Sequence, residues 1–112
     1  MKRIEAVIRS EKMQEVKQAL IDSGHAEMTF SNVQGHTAEK PITSHFRGQQ
    51  YTVDLLPQVA VVVMAHDHDV RPVVDVIRQH ARTDHTGDGQ IFVTSVDQII
   101  SVRTGEVGVG AL

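Results

Sequence analysis

Apolar and polar positions alternate from the first residues of the chain. Ile4, Ala6 and Ile8 alternate with Glu5 and Arg9, which predicts a strand with Val7 on its second face. The period then changes. Met13, Val16 and Leu20 fall at i, i+3 and i+7, while Lys12, Gln14, Glu15, Lys17 and Gln18 cover the opposite side. That spacing predicts a helix over 11–23. Ser10 stands where an N-cap belongs, and Gly24 where a helix ends in a left-handed residue. Met28, Phe30 and Asn32 alternate with Thr29, Ser31 and Val33 as a second strand. A third runs from Tyr51 through Leu56, meets Pro57, and continues from Val59 to Met64. Pro57 cannot donate to a ladder, so it is expected at an edge or bulge. The run Val59–Met64 is β-branched and apolar on both faces, which predicts a central strand covered above and below. Val70, Val73, Val74, Ile77 and Ala81 return to helical spacing behind Asp69, a candidate cap, with Pro72 tolerated in the first turn. Strands are expected again at Gln90–Thr94 and, briefly, at Ile99–Arg103.

The order is β-α-β-loop-β-α-β with one appended strand, in a single domain spanning 1–112. It predicts an α+β, ferredoxin-like βαββαβ sandwich with both helices on one face of an antiparallel sheet. A second apolar sheet face would then need cover, and another copy of the chain is the simplest cover. Between strands two and three, Gly35 to Tyr51 shows neither a 2.0 nor a 3.6 periodicity. Loops of about 12–15 residues are uncommon in compact domains and usually carry function or disorder. The glycine-rich tail over 105–112 is expected to be mobile.

Composition narrows the function. The 112 residues are 40% hydrophobic and 22% charged with net charge −3, which fits a globular domain and offers no basic field for nucleic acid. No cysteine is present, so disulfides and thiolate chemistry are excluded. The charged start lacks a signal-peptide block, and the run Val59–Ala65 is too short to span a bilayer. A soluble, cytoplasmic protein is expected. No nucleophile–base pair stands out, so an enzyme is not.

Two motifs suit phosphate. Gly87-Asp88-Gly89, ahead of Gln90-Ile91-Phe92, can bring backbone N–H groups close to an anion. Alone it is also an ordinary turn before a strand. Arg103-Thr104-Gly105-Glu106 places a guanidinium just past a strand, suited to phosphate or to a surface ion pair. Seven histidines occur. His66 and His68 would share one side of a strand end and could chelate a metal, as could His36 and His45 on the loop. Solvated histidines and a helix cap account for the same pattern. His80 and His85 lie near the glycine loop.

Taken together, these motifs resemble the PII family of nitrogen-regulatory signal proteins over nearly the whole chain. The resemblance rests on Met1–Arg9, on Gly24–Val33 around Met28-Thr29, and on Arg47-Gly48 to Tyr51. It continues through Val53-Asp54, Leu56-Pro57 and Ala81-Arg82-Thr83, and closes on Gly87-Asp88-Gly89, Ile91-Phe92-Val93 and Arg103–Glu106. It implies a homotrimer with adenine nucleotide in the clefts between subunits. It also implies a T-loop, here about 35–50, that reaches into a target such as a membrane transporter or an enzyme. Thr29, Gly35, Lys40, Arg82, Thr83, Gly87, Asp88, Gly89, Gln90 and Arg103 take nucleotide-site positions. Lys40, His45, Phe46, Arg47 and Tyr51 take partner-facing ones, and the tyrosine matching Tyr51 is uridylylated in some bacterial members. The chain departs from the family pattern elsewhere. Glu39 stands for a glutamine and Gln58 for a lysine, both used with 2-oxoglutarate. Ala38, Gln90 and Ser101 stand for cations near the polyphosphate. Each lost charge-assisted hydrogen bond costs about 1.5–3 kcal/mol. The expected ligand is therefore ADP or ATP, with ADP or AMP favoured, and 2-oxoglutarate sensing is weakened or lost. The alternative is a metal- or small-anion-responsive relative beside a metal-efflux system.

Overall fold

The computed structural model describes residues 1–36, 42–46, 49–53 and 55–111. Strand β1 covers Lys2–Arg9 and helix α1 Met13–Asp22; β2 covers Thr29–His36, β3 Ile42–Phe46 and β4 Gln49–Val53. Strand β5 covers Leu55–Ala65, helix α2 Val70–Ala81 and β6 Gly89–Ser95. Four strands form an antiparallel sheet in the order β2-β5-β1-β6, the ferredoxin-like arrangement. Ile4, Ala6 and Ile8 of β1 and Val59, Val61, Val63 and Ala65 of β5 share one face, as period 2 requires. They are buried against Val16 and Leu20 of α1 and Val73, Ile77 and Ala81 of α2. Among the described residues no helix is long and apolar enough to cross a membrane.

The helix ends follow the backbone more than the side chains. A 3-10 turn, Ser10–Lys12, precedes α1, and Ser10 lies inside it without capping anything. A second 3-10 turn, Asp67–Asp69, precedes α2; Asp69 holds the N-cap position with no side-chain cap bond. The far end of α1 is as expected. Gly24 has φ +91°, its N–H reaches Ile21 O at 3.0 Å, and the His25 N–H reaches Leu20 O at 2.8 Å. This paired closure is a Schellman motif.

Three further expectations change. The described residues within Gly35–Gln50 are more regular than the stretch's lack of periodicity suggests. Strand β2 continues to His36, and β3 pairs with β4 from Ile42↔Val53 to Phe46↔Gln49. A long excursion must satisfy its own backbone N–H and C=O groups, and a self-paired hairpin does so. The expected third strand therefore divides: Gln49–Val53 pairs within the hairpin, and Leu55–Ala65 pairs with β1 and β2. Ile99–Arg103 is no strand. Gly105 at φ +73° turns the chain back, and one bridge, Ile100–Val107, closes the turn. The Gly108 N–H donates to Ile99 O at 2.9 Å and the Ala111 N–H to Gly108 O at 2.9 Å, so the tail through Ala111 has local structure.

The uncovered sheet face is also less apolar than expected. Ala60, Val62 and Met64 form a narrow stripe between Thr29 and Ser31 of β2 and Arg3 and Glu5 of β1. Arg3 and Glu5 pair at 3.0 Å. Val7 of β1 extends the stripe beside Ala60, and beyond β1 the same face carries Gln90, Phe92 and Thr94 of β6, with Phe92 48% exposed. Pro57 lies one residue past the last partner of β1, so β5 has only β2 beside it there. A proline is tolerated at such a local edge.

The core makes one direct prediction. Leu20 is fully buried between α1 and the sheet, so Leu20→Ala should lower the unfolding free energy by about 2–5 kcal/mol in urea titration.

Candidate functional site

The loop from Arg82 to Gly89 joins α2 to β6 and is organised around one carboxylate. Asp88 Oδ2 accepts the N–H of Thr83 at 2.8 Å and of Asp84 at 3.1 Å. Asp88 Oδ1 accepts the Thr83 hydroxyl and, at 3.0 Å, Arg9 Nε–H. The second arm of Arg9 donates through Nη2 to the Thr86 carbonyl. The Thr83 hydroxyl oxygen accepts the His85 N–H at 3.2 Å. Asp84 takes φ +65°, a region that aspartate tolerates better than most residues. Gly89 has φ +105°, and a Cβ there would stand 1.7 Å from Val7 O. No other residue fits that approach to β1.

These bonds set the electrostatics. Desolvation pushes the Asp88 carboxyl up, but the hydroxyl and amide of Thr83, the Arg9 guanidinium and the Asp84 amide outweigh it. The group is held far below the usual carboxylate range and stays ionised. Arg82 Nε lies 2.6 Å from Asp84 Oδ1. Arg9 and Arg82 thus each face an aspartate. Meanwhile the amides of Thr86, Gly87 and Asp88 donate to no acceptor among the described residues. Consecutive amides without an acceptor are the kind of donor set that can receive an anion when they point together.

The expected site residues fall into separate groups. Arg82, Thr83, Gly87, Asp88, Gly89 and Gln90 gather at this loop. Asp88 is internal to it, because donors within the chain occupy both carboxylate oxygens. Gln90 is exposed and pairs with Val7. Thr29 and Gly35 lie on β2, the opposite edge strand. Three strand spacings separate them from β6, roughly 14 Å. Arg103 is exposed in the turn at 102–104 and bonds to none of the loop residues among those described. Lys40 and Arg47 lie outside the described residues. His45, Phe46 and Tyr51 are on the hairpin, opposite Gln50, Gln49 and Ser44.

The histidines fall in separate places along the chain. Strand β5 stops at Ala65; His66 follows it in extended backbone at the N-cap of the 3-10 turn, and His68 lies inside that turn. Their rings stack with centroids 5.4 Å apart and planes within 1°. His36 is exposed at the end of β2. Among the described residues, no three histidine or carboxylate groups converge as metal ligands.

Two depressions flank the loop and the base of the hairpin. A groove of about 450 Å³ between α2 and β6 has an apolar floor of Ile8, Val74, Ile77, Ala81 and Ile91. Arg78 and Arg82 stand at its rim. A depression of about 550 Å³ beside Pro57 is lined, among the described residues, by the uncharged side chains of Ser10, Asn32, Val33, Gln34 and Gln58. The Gln58 side chain lies over Gly35, where a Cβ would come within 1.8 Å of Gln58 Oε1. The sequence reading missed Arg9 and Arg78. Arg9 left one signal, a cation closing an otherwise apolar strand; its partner is 79 positions away.

Acid sensitivity checks the role of Asp88. Its folded pKa is below the ordinary value of 3.8, so its contribution is present above about pH 4 and is lost as pH falls. Urea midpoints should therefore drop more steeply from about pH 4 to pH 2 in the wild type than in Asp88→Asn.

The comparisons with known proteins agree with this architecture. The family model described as nitrogen regulatory protein P-II matches residues 1–106. The chain is 44% identical over 108 residues to nitrogen regulatory protein P-II 2 of Methanothermobacter thermautotrophicus, covering 96% of this chain and 94% of that one. It is 45% identical over 106 residues to nitrogen regulatory protein P-II of Nostoc punctiforme, covering 95% of each. With the Rhizobium meliloti protein of that name it shares 42% identity over 112 residues, the full length of both. A match of this length, on a βαββαβ sandwich whose glycine loop follows the second helix, places the chain in the nitrogen regulatory protein P-II family.

Proposed function

We propose that this chain acts as a PII-type switch: a homotrimer that binds an adenine nucleotide between subunits and signals to a target protein through the β3–β4 hairpin. The amides of Thr86, Gly87 and Asp88 carry this reading, because no acceptor among the described residues takes them and a phosphate could. The placement of Thr29 and Gly35 supports a shared cleft. They lie on β2 while the glycine loop precedes β6, so a site using both sets draws on two copies of the chain. A second copy would also cover the Ala60, Val62 and Met64 stripe and the half-exposed Phe92.

Charge decides the nucleotide. Asp88 neutralises Arg9 and Asp84 neutralises Arg82, so neither guanidinium adds net potential for an outer phosphate. Gln90 is neutral where the resemblance implies a lysine, and Arg103 remains as a donor fork. A γ-phosphate gains little from such a site, while contacts to the nucleoside are unchanged. Among the described residues the hairpin is a two-stranded sheet separate from the four-stranded one. Ligand in the cleft would bias its arrangement and so its fit to a target. The protein then works by population shift and not by catalysis.

Calorimetry combined with light scattering tests the reading. A trimer should bind ADP at least as tightly as ATP at fixed ionic strength, and Arg103→Ala should weaken both. A monomer, or ATP binding ten-fold tighter (about 1.4 kcal/mol), contradicts it. With Mg-ATP present, 2-oxoglutarate should give no saturable heat, because neutral Gln58 occupies the depression beside Gly35. A clear isotherm would refute that assignment.

A further inference from the structure

One side chain joins three parts of the site, and the function proposed above does not use it. Arg9 is the last residue of β1, and its backbone pairs with Gln58 of β5. Its guanidinium leaves the strand and reaches the glycine loop at two points. Nε–H donates to Asp88 Oδ1 at 3.0 Å, and Nη2 donates to the Thr86 carbonyl. Nη1 lies 3.9 Å from Glu11, too long for a third strong contact. The side chain is only a quarter exposed, so water competes little for these donors. The direction of Cβ at Gly87 points at Arg9 Nη2, 3.4 Å away, and at Leu56 Cδ1, 3.5 Å away. Arg9 therefore lies against Gly87, and Leu56 flanks it where β5 leaves the hairpin.

We infer that Arg9 is the positioning residue of the phosphate-binding loop, holding the free amides of Thr86, Gly87 and Asp88 in one concave arrangement. This rests on the nucleotide reading only for the identity of the ligand. The reasoning is geometric. Asp88 fixes the Thr83 end of the loop by itself, through the Thr83 and Asp84 amides. Nothing of that kind holds Thr86, whose carbonyl is bonded by Arg9 alone among the described residues. A planar fork can hold a carboxylate and a carbonyl at once, whereas an ammonium supplies donors from a single nitrogen and would hold one acceptor well. Because Asp88 cancels its charge, Arg9 acts by shaping the loop and not as a cation toward phosphate.

The test compares Arg9→Ala, Arg9→Lys and, as a control on the exposed side of α2, Arg71→Ala. Backbone 15N relaxation order parameters of residues 84–89 are read without ligand, and ADP affinity by calorimetry. Arg9→Ala should lower the order parameters at Thr86–Asp88 from about 0.85 to below about 0.6, leave those of α1 unchanged, and weaken ADP at least ten-fold. Arg9→Lys should fall between Arg9→Ala and the wild type, and Arg71→Ala should match the wild type in both readouts. Unchanged loop order parameters in Arg9→Ala would overturn the inference, as would full ADP affinity in that variant. So would an equal drop across α1, which would mark a general loss of order. Should the wild type bind no ADP while the loop order parameters still fall in Arg9→Ala, the nucleotide reading fails and the positioning role stands.

Discussion

The Asp88 carboxylate is the contact on which the candidate site depends. Four donors converge on its two oxygens: the amide and hydroxyl of Thr83, the amide of Asp84 and the guanidinium of Arg9. A partly buried carboxylate is costly unless it is hydrogen-bonded in this way, and once bonded it resists change. Around it the loop takes positive φ at Asp84 and Gly87 and leaves the amides of Thr86, Gly87 and Asp88 without an acceptor among the described residues. The residue that looks like a ligand in the sequence is therefore the frame. The groups that can face a ligand are backbone N–H donors, which no substitution pattern can display.

The sheet order determines how such a loop can be used. With β1 and β5 central, β2 and β6 are edges, and the two sets of candidate residues sit at opposite edges. The uncovered face between them mixes an apolar stripe with an Arg3–Glu5 pair and with threonines. A mixed face of this kind resembles a protein–protein contact more than a domain core, since contact surfaces keep their polar groups. The hairpin completes the arrangement. It begins next to Gly35 and Gln58, the same end of the sheet at which Arg9 grips the glycine loop.

The sequence was most legible where a period repeats. Val70, Val73, Ile77 and Ala81 placed α2, and the Ile4–Ala6–Ile8 alternation placed β1, because burial on one face enforces the spacing. Gly24 was legible for a different reason, a left-handed closure that L side chains rarely adopt. Ser10 and Asp69 misled because a 3-10 turn leads into each helix and removes the need for a side-chain cap. The hairpin was hidden because its ladder rests on backbone pairing, and the residues at 42–53 show no period that would announce it. Glycine and aspartate at 87–89 drew attention to the loop that the Asp88 carboxylate organises. Arg9 did not, because its contacts cross 77 and 79 positions of sequence, and a long-range ion pair leaves no local pattern.

Amide chemical shifts during an ADP titration of the uniformly 15N-labelled protein test the central claim most directly. The account predicts large shifts at Thr86, Gly87 and Asp88, whose N–H groups gain phosphate acceptors. A simultaneous shift is predicted at Thr29, on the opposite sheet edge and reachable by the same nucleotide only through a second copy. Shifts confined to Val74, Ile77 and Ile91, which line the α2–β6 groove, with the loop amides and Thr29 unmoved, would contradict it.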